Sequence, residues 1–174
     1  TGNAGNLTVK TNTLRVEDGA EVSAATFGAG NGGGLTVNAQ DIQLIGESTN
    51  QRSDNTISRR GSGLFTQASS GSRGDAGNLN VETNTLLVEN GARVSAGTFG
   101  TGDGGSLIVN AQNIQLIGTT DDGESRSGLF AQASDSSIGN AGELTINTNT
   151  LFVQGGAAVS AATFGAGDGG SLTV

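Results

Sequence analysis

The chain is predicted to fold as an all-β, right-handed parallel β-helix (a β-solenoid) with three short strands per coil and about five to six coils. Three observations predict this: the chain repeats itself at fixed spacing, its apolar residues alternate with polar ones in short runs, and its composition opposes helix. The 174 residues include 31 Gly and no Pro, Cys, Met, Trp, Tyr or His. Such usage departs far from that of an average globular domain. Gly, Thr, Asn and Val are poor helix formers. Low hydrophobicity and a net charge of −8 would also suit disorder, but regular apolar spacing argues against it.

The repeat is read by laying the chain over itself. Gly5-Asn6-Leu7-Thr8-Val9 returns as Gly77-Asn78-Leu79-Asn80-Val81 and as Gly142-Glu143-Leu144-Thr145-Ile146, at intervals of 72 and 65 residues. A half-repeat restates the phrase 28 residues later in each copy, at Leu35, Leu107 and Leu172. The unit is one coil. Coils start near residues 7, 35, 79, 107, 144 and 172, with lengths 28, 44, 28, 37 and 28. Residues 1–174 therefore read as a single segment of a stacked-repeat protein that begins and ends inside a repeat.

Each coil carries three apolar-polar alternations, such as Leu7-Thr8-Val9, Leu14-Arg15-Val16 and Val22-Ser23-Ala24. Period two means strand, and runs this short cannot make helices. Each strand is expected to pair in parallel with its equivalent one coil away, about 4.8 Å along the axis.

Alignment of the coils assigns the core. On the first side Leu7, Leu35, Leu79, Leu107, Leu144 and Leu172 stack, beside Val9, Val37, Val81, Val109, Ile146 and Val174. On the second, Leu14, Ile42, Leu86, Ile114 and Leu151 stack beside Val16, Leu44, Val88, Leu116 and Val153. On the third, Val22, Leu64, Val94, Leu129 and Val159 stack beside the small residues Ala24, Thr66, Ala96, Ala131 and Ala161. Each stack keeps its size class. A one-residue slip would turn it outward, so burial sets the register.

Between the first two sides, Asn12, Gln40, Asn84, Gln112 and Asn149 share a corner, where an amide ladder is expected. The Gly-rich turns at residues 28–33, 100–105 and 165–170 are expected to need positive φ. Phe27, Phe99 and Phe164 precede these turns, and Phe65 and Phe130 lie on the intervening coils. Their spacing predicts corner packing or a modest apolar stripe rather than a binding box.

The composition excludes several functions. Without Cys there are no disulfides or thiolate metal sites, and without His the commonest metal ligand and general base is missing. Eight Lys plus Arg and a pI near 4.2 argue against nucleic acid as a partner. No apolar run approaches the roughly 20 residues that span a bilayer, so no membrane insertion is expected. Residues 1–5 have neither part of a signal peptide.

Gly102-Asp103-Gly104-Gly105 and Gly167-Asp168-Gly169-Gly170 are faintly similar to calcium-binding β-roll repeats, which recur every nine residues; here the Asp returns once per two coils, with Asn31 in the first copy. Asp121, Asp122 and Glu124 could suit a hard cation, but a solvated charged loop is the expected reading. Outward positions of the first side read Thr8, Thr36, Asn80, Ile108, Thr145 and Thr173, and of the second Arg15, Gln43, Leu87, Gln115 and Phe152. Neither is the carboxylate face that a polysaccharide-cleaving β-helix needs. A polysaccharide-binding or ice-binding β-solenoid is the minor alternative; Asn80 and Ile108 interrupt the Thr column that an ice-binding array would use. The chain is read as no enzyme, with no catalytic, cofactor-binding or metal residues.

Three phrases carry a family likeness: Gly-Asn-Ala-Gly-Asn-Leu-Thr-Val from Gly2, Leu-x-Val-x-x-Gly-Ala-x-Val-Ser-Ala-x-Thr-Phe-Gly from Leu14, Leu86 and Leu151, and Ser-Gly-Leu-Phe-x-Gln-Ala-Ser from Ser62 and Ser127. Over essentially its whole length the chain resembles the repeat region of filamentous-haemagglutinin-like two-partner-secretion exoproteins, in the version abundant in cyanobacteria. The resemblance implies a right-handed β-helix, export through an outer-membrane β-barrel partner, and an extracellular, cell-surface role in adhesion, aggregation or a filament or sheath. The family's N-terminal secretion domain has no counterpart in these residues. Expected partners are that β-barrel, other copies of the chain end to end or laterally through open strand edges at Leu7 and Leu172, and cell-surface glycans. Residues 47–60 and 119–127, inserted in the longer coils, are the expected ligand-contacting loops.

Overall fold

The computed structural model describes residues 2–51 and 57–174. Among these residues there is no helix, hence none long and apolar enough to cross a membrane. The molecule is all-β, and its sheets are mostly parallel, in a solenoid-like arrangement. One sheet of eight strands contains Leu7–Lys10, Thr13–Glu17, Leu35–Asn38, Asp41–Ile45, Leu79–Glu89, Leu107–Ile117, Leu144–Gln154 and Leu172–Thr173. A second, of five strands, contains Glu21–Ser23, Gly63–Ala68, Arg93–Thr98, Gly128–Phe130 and Ala158–Ser160.

The register is the one that the size-matched stacks require. Leu7 pairs with Leu35, Leu35 with Leu79, Leu79 with Leu107, Leu107 with Leu144, and Leu144 with Leu172. Likewise Leu14, Ile42, Leu86, Ile114 and Leu151 are successive partners, as are Val22, Leu64, Val94, Leu129 and Val159. Leu35, Leu79, Leu107, Ile114, Leu129 and Leu144 have no exposed surface. The core is therefore a file of aliphatic layers between the two large sheets. On the first side each Leu meets its own kind along the axis and has a β-branched neighbour two residues on, which is the burial that alternating strands provide.

Three features differ from expectation. First, Leu79–Glu89, Leu107–Ile117 and Leu144–Gln154 each run through the corner at Asn84, Gln112 and Asn149, merging two expected strands into one of 11 residues.

Second, the amides at that corner do not form the expected ladder. The side chains of Asn84 and Gln112 meet at 3.4 Å, while the corner is held by main-chain groups: the Asn84 and Thr85 N–H groups both donate to the Gln40 carbonyl. The Thr83 hydroxyl donates to the same oxygen at 2.9 Å, and the Thr148 hydroxyl to that of Gln112 at 3.2 Å. The amide side chains are exposed, and water competes for them.

Third, no glycine of residues 28–33, 100–105 or 165–170 has positive φ. These glycines answer a different demand, the close approach of one coil's backbone to the next. A Cβ on Gly33, Gly77, Gly105, Gly142 or Gly170 would lie within 2.0 Å of the carbonyl oxygen of the preceding glycine in the same column. Positive φ falls instead at tight turns such as Asp18-Gly19 and Asn90-Gly91.

The insertion at residues 47–60 lies partly outside the described residues. Its described part is an antiparallel hairpin of Glu47–Gln51 and Ile57–Gly61, with Thr49 opposite Arg59.

Candidate functional site

The Gly-rich turns build the most regular polar surface of the molecule. Each coil contributes one Asn or Asp flanked by glycine on at least its N-terminal side: Asn3, Asn31, Asp75, Asp103, Asn140 and Asp168. The side-chain Oδ1 of each accepts the main-chain N–H of the next member. The five bonds measure 2.9 Å (Asn3 to Asn31), 3.1 Å (Asn31 to Asp75), 2.9 Å (Asp75 to Asp103), 2.8 Å (Asp103 to Asn140) and 2.8 Å (Asn140 to Asp168). Asn6 and Asn78 add parallel bonds to the N–H groups of Gly34 and Ser106. Short side chains with an oxygen two bonds from Cβ reach one strand spacing, and both Asn and Asp supply it.

This corrects the reading of Asp103 and Asp168 as a residue returning once per two coils. The position recurs in every coil, and its oxygen is an acceptor for protein N–H. The signal was present as Gly-Asn/Asp-x-Gly at residues 2–5, 30–33, 74–77, 102–105, 139–142 and 167–170.

Between this ladder and the outward Thr8, Thr36 and Asn80 runs an open groove, bordered also by Asn6, Asn78 and Asp103. The outward column is in the expected register: Thr8, Thr36, Asn80, Ile108, Thr145 and Thr173 are successive partners. The groove thus presents hydroxyls, amides and carboxylates along the axis. Among the described residues, none that lines it carries a positive charge or an aromatic ring.

The inserted loops form the second distinctive surface. Arg59 of the hairpin bonds to Glu47 Oε1 at 2.7 Å and forms an ion pair with Asp122 of the loop between Thr119 and Arg126. Asp122 Oδ1 also accepts the Thr120 hydroxyl at 2.8 Å and the Glu124 N–H at 3.0 Å. The Glu124 N–H, then the Thr120 hydroxyl and Arg59, hold the Asp122 carboxyl below the usual carboxylate range. Asp122 therefore organises its loop and ties it to the neighbouring insertion. Asp121 borders the same hollow as Glu47 and Asn90. Among the described residues no group of three or more acidic side chains is disposed to hold a metal ion.

The phenylalanines divide into two sets. Phe65 and Phe130 are buried, their rings lying over Gly63 and Gly128, with the Arg93 guanidinium 5.4 Å from the Phe130 ring centre. Burial lowers the Arg93 pKa from its ordinary value. Phe27, Phe99 and Phe164 instead stand 81%, 43% and 64% exposed. They form an apolar stripe and do not pack down at the corner.

Comparison with protein-family models, curated proteins and solved structures finds no match.

Proposed function

We propose that this chain is a stretch of the β-helical shaft of a secreted surface protein, serving adhesion, aggregation or the building of a filament or sheath. The shaft is right-handed, with about five to six coils in these residues, each turning through three sides, the first two of which run on as one strand in Leu79–Glu89, Leu107–Ile117 and Leu144–Gln154. It works outside the cell as a structural element and catalyses nothing. An outer-membrane β-barrel passes it out as an unfolded thread, which a chain without Cys permits. Coil-by-coil stacking then propagates folding outside.

The observation that supports this reading best is the uninterrupted axial bonding of the ladder from Asn3 to Asp168. Every coil is tied to the next by the same side-chain-to-backbone bond in addition to its strand pairing. Such redundancy stiffens a rod along its axis and serves an extended element that carries load. In this reading the hairpin and the loop clasped by Arg59 are the displayed surface, and cell-surface glycans are its candidate ligands.

The test is electron microscopy of the native full-length protein from culture medium and cell surface. Rods with an axial repeat of about 4.8 Å are expected, and loss of the protein should reduce attachment or aggregation. Globular particles inside cells would refute the reading. The alternative is a self-assembling extracellular fibre with no receptor, which the exposed phenylalanines favour. Deleting residues 119–126 separates the two, since a displayed-loop adhesin loses attachment and a fibre still assembles.

A further inference from the structure

The exposed phenylalanines sit on successive rungs of one corner. Main-chain bonds run from the Ser69 N–H to the Thr26 carbonyl at 2.9 Å, from Phe99 to Ala68 at 2.7 Å, from Ser134 to Thr98 at 2.9 Å and from Phe164 to Ala133 at 2.8 Å. The outer edge therefore reads Phe27, Ser69, Phe99, Ser134, Phe164: ring, gap, ring, gap, ring. Rings one coil apart would be separated by about 4.8 Å, so these lie about 9.6 Å apart. The gap between Phe99 and Phe164 is an open cleft floored by Ser134 and bordered by Gln132 and Asp135.

A planar ring placed midway in such a gap lies about 4.8 Å from the ring on either side, inside the range of about 4.5–7 Å that aromatic pairs favour. A second copy of this chain brings rings at the same pitch. Displaced by one coil, its phenylalanines fall on the serines of the first. Charge permits the approach: the chain carries −8, but residues 26–30, 68–74, 98–102, 133–139 and 163–167 contain one Arg and one Asp, Arg73 and Asp135, which cancel. Two acidic rods can therefore meet on this face without net like-charge repulsion across it. Ile138, 64% exposed at the same corner, extends the apolar surface.

We propose that the Phe27, Phe99 and Phe164 stripe is the lateral contact between two copies of this chain, the rings of one entering the serine gaps of the other. The proposal rests on the shaft reading above and names the surface by which shafts associate. Arg73 and Asp135 flank the contact and keep it neutral. The buried Phe65 and Phe130 take no part.

The test is sedimentation of the 174-residue chain over a range of concentrations, beside a Phe27→Ser/Phe99→Ser/Phe164→Ser variant and a Ser134→Arg variant that fills one gap with charge. The wild type should associate reversibly. Both variants should associate at least ten-fold more weakly, with far-UV circular dichroism unchanged because the altered side chains are outside the core. Mixed under oxidising conditions, chains bearing Phe99→Cys and chains bearing Ser134→Cys should form the mixed disulfide in preference to either homodimer. A wild type that stays monomeric throughout, or a triple variant that associates as well as the wild type, overturns the proposal. So does a monomeric wild type that binds a neutral β-linked glucan through these rings. Microscopy tests the shaft reading separately: rods whose bundling survives the triple variant sink the stripe and leave the shaft intact, whereas an intracellular globular protein sinks the shaft whatever the sedimentation reads.

Discussion

The Asp103 carboxylate accepts the main-chain N–H of Asn140 at 2.8 Å, while the Asp103 N–H is itself donated to Asp75 at 2.9 Å. Each ladder residue is thus an acceptor through its side chain and a donor through its backbone. Asp103→Ala removes the acceptor and should destabilise by about 1 kcal/mol, at the low end because water reaches the freed N–H. Asp103→Asn keeps the acceptor and removes a charge stacked one rung from Asp75. It should melt at the wild-type temperature or above, since like charges directly opposite on paired strands destabilise. Thermal melts of the two variants side by side decide this. Equal losses would mean that the charge, and not the acceptor, matters.

The glycine columns make a sharper contrast. A Cβ on Gly105 would stand 1.9 Å from the Gly77 carbonyl oxygen, whereas nothing lies within 4 Å of one on Gly28. Neither has positive φ. Gly105→Ala should therefore force adjacent coils apart and cost about 3 kcal/mol, in the range of overpacking a dense site. Gly28→Ala should be neutral or stabilise by about 0.5 kcal/mol, through the entropy of the unfolded chain. Denaturant midpoints measure both. Equal destabilisation would return the turn glycines to a role in backbone conformation.

The stacks were legible because volume and period are written in single residues. Leu7, Leu35, Leu79, Leu107 and Leu144 recur at the same place in each coil, and burial leaves such residues one register. The ladder was misplaced for a physical reason. Asn12, Gln40 and Asn84 have the side chains for a zipper, but they face water on the outside of a bend, while the shorter Asn and Asp beside glycine sit where a neighbouring N–H is one strand spacing away. A Gly in sequence also does not say whether it is there for φ or for closeness. Gly33 and Gly19 look alike until the neighbouring coil is in place. The exposure of Phe99 against the burial of Phe130 was likewise hidden, because each has a glycine two residues before it, Gly97 and Gly128, and only Gly128 lies beneath its ring.

Leu107 lies between Leu79 and Leu144 and has no exposed surface, whereas Leu7 is 37% exposed. Leu107→Ala should leave a cavity bordered on both axial sides and cost about 3 kcal/mol, against about 1 kcal/mol for Leu7→Ala. Because each coil touches its neighbours alone, the loss should also be local. Hydrogen exchange should quicken in Leu79–Glu89, Leu107–Ile117 and Leu144–Gln154 before it does in Leu7–Lys10. Uniform acceleration along the chain would show a single cooperative unit instead.

The clasp between the two insertions should loosen in acid. The Asp122 carboxyl is held below its ordinary value by the Glu124 N–H, the Thr120 hydroxyl and Arg59. A group whose pKa is lower in the folded state binds protons more readily when released. Its contribution is therefore complete above the ordinary carboxylate value of about 3.9 and is lost as pH falls through the lower, folded value. Arg59, its pKa raised by Glu47 first and then by Asp122, stays charged across this window. Protection of the Glu124 and Ser125 N–H groups should accordingly be steady from neutrality to about pH 4 and decline below it, in step with protonation of Asp122. Asp122→Asn, which keeps an oxygen for the Glu124 N–H but cannot pair with Arg59 as an anion, should show weaker protection at neutral pH and no acid-dependent decline at this site. Amide exchange followed residue by residue tests both. If the variant and the wild type lose protection together on acidification, another carboxylate holds the loop and the clasp is not the controlling contact.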